Sequence, residues 1–162
     1  MNKNLTKSLE TYLLAIDTLI NKKGSIIVKD VAEFLNHGGA TTSDAIKKLK
    51  EKGYINYKPY GNITLTSLGQ EAVFIKKYRH TTITNFFNQV LDIELKKAEE
   101  NAEAIEYSMT EDVLSRLVNF MDFMKQCACP EPKWIKSCKL TLKDGKISEK
   151  CAVCSGGCCC SK

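Results

Sequence analysis

The sequence predicts a mainly α protein with a small β wing: an N-terminal winged helix-turn-helix, a helical dimerisation domain and a Cys-rich metal-binding tail. Three observations predict this. Between Ser25 and Thr66, two short amphipathic helical stretches flank an Asn36-His37-Gly38-Gly39 turn and are followed by two β-like runs. Beyond Thr66, apolar residues recur at helical spacing as far as Gln126. All eight cysteines fall after that point. The corresponding domains are residues 1–72, 73–126 and 127–162.

The first helix covers about Leu5 to Asn21, where Leu9, Tyr12, Leu13, Ile16, Leu19 and Ile20 form one apolar face before Lys22-Lys23-Gly24 ends it. A second helix, Val28 to Leu35, carries Val31, Phe34 and Leu35, and the Asn-His-Gly-Gly turn stops it. The third, about Ala40 to Lys52, turns Ala45, Ile46 and Leu49 inward, which leaves Thr41, Thr42, Ser43, Asp44, Lys47, Lys48 and Lys50 on more exposed faces. Short hydroxyls near the start of a helix suit base edges, and lysines behind them suit phosphates. Thr41, Thr42, Ser43, Lys47, Lys48 and Lys50 are therefore candidate contacts to double-stranded DNA. Tyr54 to Tyr57 and Asn62 to Leu65 read as strands around Pro59-Tyr60-Gly61-Asn62, a hairpin tip that would hold Lys58 and Tyr60 against the backbone or minor groove. Each lysine alone is equally well read as a solubilising surface charge; the ordered combination is what points to nucleic acid.

Thr66 or Ser67 caps a long helix reaching Leu91, with Phe74, Ile75, Tyr78, Ile83, Phe86, Phe87 and Val90 as buried candidates. A further helix spans about Ile93 to Tyr107. Thr110 then caps a last one ending at Gln126, whose Val113, Leu114, Leu117, Val118, Phe120, Met121 and Met124 exceed the needs of one small core. A homodimer interface would use the excess; burial within one chain is the alternative. In the tail, a Leu140-x-Leu142 alternation before Lys143-Asp144-Gly145-Lys146 reads as one arm and the turn of a hairpin. So little apolar sequence predicts a loose segment unless metal is bound.

Charge follows the same divisions. Residues 1–90 hold thirteen Lys/Arg against seven Asp/Glu, residues 91–126 four against nine, and residues 127–162 seven against three. The basic portion contains the winged helix, as a polyanion partner requires, and the acidic middle excludes a phosphate-binding surface there. No apolar run is long enough for a membrane span, the start lacks a signal-peptide core, and a cytoplasmic protein is expected. In that reducing setting the cysteines point to soft-metal or redox chemistry rather than disulfides. Cys151, Cys154 and Cys158 place three thiolates at short spacing, and Cys127, Cys129 or Cys138 complete a four-sulfur shell for an iron-sulfur cluster or zinc. Copper-like metals and free thiols stay open, with Cys159 and Cys160 as spares. No nucleophile-and-base pattern or nucleotide loop argues for an enzyme.

In their order, Glu10-Thr11-Tyr12-Leu13, Asp30-Val31-Ala32, Lys47-Lys48-Leu49 with Gly53, Tyr57-Lys58-Pro59-Tyr60, Leu65-Thr66-x-x-Gly69, Tyr78-Arg79-His80 and Glu103-x-x-Glu106-x-x-Met109 resemble the diphtheria-toxin-repressor and manganese-transport-regulator family of metal-dependent repressors. The resemblance covers about Ser8 to Gln126. It implies a homodimer that binds a pseudo-palindromic operator when divalent iron or manganese is bound. It also implies metal ligation by His80, Glu103 and Glu106, with Glu99 where some members place another ligand. Three glutamates at i, i+4 and i+7 with one imidazole suit such an ion, although a solvated acidic face is the plainer reading of the same spacing. Departures from the family pattern are Thr11 in place of Asp or Met, Leu14 in place of a carboxylate, Tyr107 in place of His, and Gly39-Ala40 in place of frequent prolines. The first helix has thereby lost its ligands, and the tail becomes a second candidate sensor. The expected function is a metal- or iron-sulfur-responsive repressor of metal-homeostasis genes. The alternative is a metal-handling or redox accessory protein that uses the winged helix to bind protein.

Overall fold

The computed structural model describes residues 5–59, 61–126 and 133–144, with some side chains of the last stretch left out. The chain divides into two compact units, one ending at Lys77 and the other beginning at Tyr78.

In the first unit, α1 (Lys7–Lys23) starts where Thr6 Oγ1 accepts from the Leu9 N–H, and it stops at Gly24, whose φ of 76° lets its N–H reach Ile20 O. Leu9, Tyr12, Leu13, Ile16 and Leu19 all lie buried on one face, the stripe that their spacing predicts. α2 (Val28–Leu35) covers the predicted residues and ends at Asn36, which adopts the left-handed conformation (φ 52°) that Asn tolerates better than most. α3 (Gly39–Glu51) begins one residue earlier than expected, because Gly38 serves as N-cap and the second glycine joins the helix. β1 (Ile55–Tyr57) and β2 (Ile63–Leu65) pair antiparallel with Ile55 opposite Leu65 and Tyr57 opposite Ile63, while Ile63 also bridges back to Ile26. One core joins these elements, drawn from Ile16, Ile26, Val31, Ile46, Leu49, Tyr54, Ile55 and Ile63 among others.

α4 (Ser67–Asn85) leaves the wing through a tight junction. Thr66 Oγ1 donates to Gly53 O at 2.6 Å and accepts from the Gly69 N–H at 3.1 Å. A Cβ at Gly69 would lie 2.0 Å from Tyr54 O, so only glycine permits this approach of helix to strand. Two ion pairs then strap the helix to α1: Lys76 Nζ lies 3.6 Å from Glu10 Oε2, and Lys77 Nζ 2.5 Å from Asp17 Oδ2. Phe74 (68% exposed), Ile75 and Tyr78 correct the expectation of a continuous buried face on this helix, since Val73 takes the inward position instead.

In the second unit the chain continues through a π-helical segment (Phe86–Val90), α5 (Leu95–Glu106), α6 (Glu111–Gln126) and α7 (Lys133–Asp144). Ile83, Ala102 and Leu114 are its buried centre, with Phe87, Met109 and Leu117 packed around them. Phe86 meets Phe120 edge to face at 6.1 Å. Tyr78 donates to Asp122 at 2.9 Å, and that carboxylate also takes Lys125 at 3.1 Å. α7 corrects the predicted hairpin arm: Leu140 to Leu142 is helical, and Ile135, Cys138 and Leu142 fall at helical rather than alternating intervals. Ile135 is buried, and Lys143 Nζ pairs with Asp92 at 2.6 Å. Asp92 (φ 58°) occupies the left-handed turn after the π segment.

Candidate nucleic-acid interface and metal centre

The third helix sets up a basic face by burying its opposite side. Ala45, Ile46 and Leu49 are buried as expected, which fixes Thr41, Lys47, Lys48 and Lys50 outward and Ser43 at the margin. Lys58 is exposed beside the wing, whereas Tyr60 lies outside the described residues. Thr42 corrects the sequence reading. It is 0% exposed, and its hydroxyl donates to Gly38 O at 3.1 Å. Its position, three residues before Ala45 and four before Ile46, places it on the inward stripe, so it cannot touch a base. The contact that sequence reasoning missed is at the turn: the buried Tyr12 hydroxyl lies 2.8 Å from His37 Nδ1. Tyr12 was legible only as one more apolar position, since no local pattern announces a partner 25 residues away.

Of the acidic site, the structure brings together His80 and Glu106. His80 Nδ1 lies 3.8 Å from Glu106 Oε2, and Glu106 is 7% exposed. Glu99 and Glu103 are exposed on α5 and do not join them: among the described residues, no group of three or more His, Cys, Asp or Glu side chains gathers to hold a metal. The helix explains why. Ala98, Ala102 and Glu106 make its buried line, and Glu99 and Glu103 each follow a member of that line by one residue, about 100° around the axis. One imidazole and one carboxylate are fewer donors than a divalent iron or manganese ion takes. Among the described residues, His80 and Glu106 alone are too few to hold such an ion. In the tail, Cys138 is half-buried on α7, and Cys127, Cys129, Cys151, Cys154 and Cys158 lie outside the described residues.

A helix-turn-helix with a β hairpin and a lysine-bearing third helix defines a winged-helix DNA-binding regulator. Residues 4–63 match the N-terminal DNA-binding domain of the iron-dependent repressors, and residues 66–135 match the metal-binding and dimerisation domain of the same proteins. Over 122 residues the chain is 34% identical to an uncharacterized HTH-type transcriptional regulator of Methanocaldococcus jannaschii, covering 75% of this chain and 98% of that one. The chain belongs to the iron-dependent repressor family, whose members are transcriptional regulators rather than enzymes. Among solved structures it is similar to a manganese-dependent transcriptional repressor in complex with manganese, at 25% identity and a TM-score of 0.59, covering 71% of this chain and 53% of that one. It shares its fold with T. acidophilum IdeR at 24% identity and a TM-score of 0.57, covering 73% of this chain and 55% of that one. The chain thus spans about half the length of those two structures. Among the described residues, no helix is long and apolar enough to cross a membrane.

Proposed function

We propose that this protein is a cytoplasmic, dimeric repressor of metal-homeostasis genes that lays α3 in the major groove of a pseudo-palindromic operator and sets its wing on the flanking backbone. The observation that carries this is the exposure of Thr41, Lys47, Lys48 and Lys50 around the side of α3 that lies away from the buried Thr42, Ala45, Ile46 and Leu49. Thr41 and Ser43 are the proposed base-edge contacts, and Lys47, Lys48, Lys50 and Lys58 the phosphate contacts.

For the metal signal, His80 and Glu106 are the proposed anchor of what remains of a divalent site in the dimerisation domain. A buried carboxylate beside an imidazole supports this. The cysteine tail is the proposed second sensor, on the chemistry of its thiolates, with an iron-sulfur cluster or zinc as the group held there.

Two measurements separate these inputs. Anaerobic purification followed by absorbance spectra and iron, sulfide and zinc analysis should find metal that disappears when Cys151 and Cys154 become serine; metal-free protein would rule out the tail as a sensor. Operator binding in the presence of manganese(II) or iron(II) should lose its metal dependence in His80→Gln and Glu106→Gln. An unchanged response in both variants would remove the helical anchor.

A further inference from the structure

We propose that His37 is a further DNA-contacting residue and Tyr12 its positioning residue: the Tyr12 hydroxyl fixes the tautomer of His37, so that its Nε2–H is offered to a backbone phosphate beside the start of α3. This rests on the DNA-binding reading.

The argument begins with a buried phenol. Tyr12 is 2% exposed, and among the described residues its hydroxyl has one hydrogen-bond partner, His37 Nδ1 at 2.8 Å. A phenol can donate or accept. If it only accepted from an Nδ1–H, its own proton would be left without a protein partner in a largely desolvated position, which is the costlier arrangement. The phenol therefore donates to Nδ1, which leaves the ring's proton on Nε2. The rings also pack, 5.5 Å between centroids at 56°, so the imidazole is held as well as oriented.

The position of His37 gives that proton a use. The residue is exposed, follows the left-handed Asn36 and precedes Gly38, the N-cap of the recognition helix. Its own N–H is tied to Ala32 O at 3.0 Å, which anchors the backbone at this point. In helix-turn-helix complexes the N-terminal end of the second helix meets base edges while the first helix crosses the backbone, and His37 lies in the turn that joins the two. Gly38 and Gly39 have no side chain to offer there, and His37 is the nearest residue before them that has one. An N–H donor at this place adds affinity without sequence preference, as phosphate contacts do.

The test uses the full-length protein and a fluorescein-labelled mixed-sequence duplex of about 30 base pairs, three helical turns. Long-range 15N–1H spectra of the imidazole should show the Nε2-protonated tautomer in the wild type, and a mixture of tautomers in Tyr12→Phe. In anisotropy titrations His37→Gln, whose amide stands where Nε2–H stood, should bind nearly as the wild type does. His37→Asn keeps an acceptor for Tyr12 but does not reach, and should bind about fivefold more weakly, the loss of one neutral hydrogen bond. Tyr12→Phe should fall between them. An Nδ1-protonated ring, or equal binding by His37→Asn and wild type, overturns the proposal. Lys47→Ala serves as the control: if it weakens binding while the His37 variants do not, this inference fails and the DNA-binding reading stands. If no protein binds the duplex, the broader reading fails, and the tautomer measurement still decides the role of Tyr12.

Discussion

Asp30 shows how much of the helix-turn-helix depends on single polar groups. Its carboxylate accepts from the Ile27 N–H at 2.9 Å, capping α2, and pairs with Lys23 at 2.6 Å. The hydrogen bond from Lys23, then that from the Ile27 amide, hold its carboxyl below the ordinary carboxylate range. A depressed folded value means that the stabilisation is complete above the ordinary aspartate value and is lost as pH falls through the folded one. Thermal unfolding followed from neutrality to about pH 3 should therefore show a smaller acid-induced fall in Asp30→Asn than in wild type, from a lower starting point. Equal acid sensitivity would place the acid-labile groups elsewhere. Thr42 makes the complementary point. Thr42→Val keeps the shape and removes only the bond to Gly38 O, so duplex affinity should hold while stability drops by about 1 kcal/mol. A threonine at the head of a recognition helix looks like a base contact until its register against Ala45 and Ile46 is counted.

Among the elements, the junction between wing and α4 is the most constrained. Gly69→Ala would set a Cβ against the Tyr54 carbonyl, and because backbone rather than a flexible side chain must yield, the cost should be on the order of 2–4 kcal/mol in denaturant unfolding. A neutral result would mean that the helix can shift away from the strand freely. Of this junction the sequence shows Thr66 as a cap and, through the family resemblance, Leu65-Thr66-x-x-Gly69; α1, α2 and α3 are visible in their apolar spacing, because local periodicity and punctuation carry that information. Other features were not visible. Phe74 and Ile75 look as apolar as Val73, and only the packing around the helix decides which of them turns inward. The widened π turn at Phe86–Val90 interrupts no pattern, since its phenylalanines continue the spacing of α4. Leu140 and Leu142, two apart, suggest a strand arm, and only the longer spacing that includes Ile135 and Cys138 fits the helix α7. Lys143→Ala should speed amide exchange in α7 by removing its pairing to Asp92; unchanged exchange would leave Ile135 as the anchor.

For the molecule as a whole, the basic N-terminal unit and the acidic helices beyond it divide the labour expected of a regulator. One part can approach a polyanion and the other cannot. The family dimerises through the second domain, and α6 leaves Val113 52% and Phe123 62% exposed in the single chain. Phe123→Glu should shift sedimentation toward the monomer while leaving the fold, judged by circular dichroism, intact. An unshifted dimer would put the interface on another face. The proposed metal anchor was only half legible. His80 and Glu106 meet, but helical spacing alone could not tell that Glu99 and Glu103 face solvent while Glu106 turns in. The central claim, that the α3 face binds DNA through its lysines, is tested most directly by the salt dependence of duplex binding. The logarithm of affinity should fall linearly with the logarithm of salt concentration, and Lys47→Ala should make that slope shallower by about 0.9, one phosphate contact. An identical slope in the variant, or no duplex binding in any metal-loaded, metal-free, oxidised or reduced state, would contradict it.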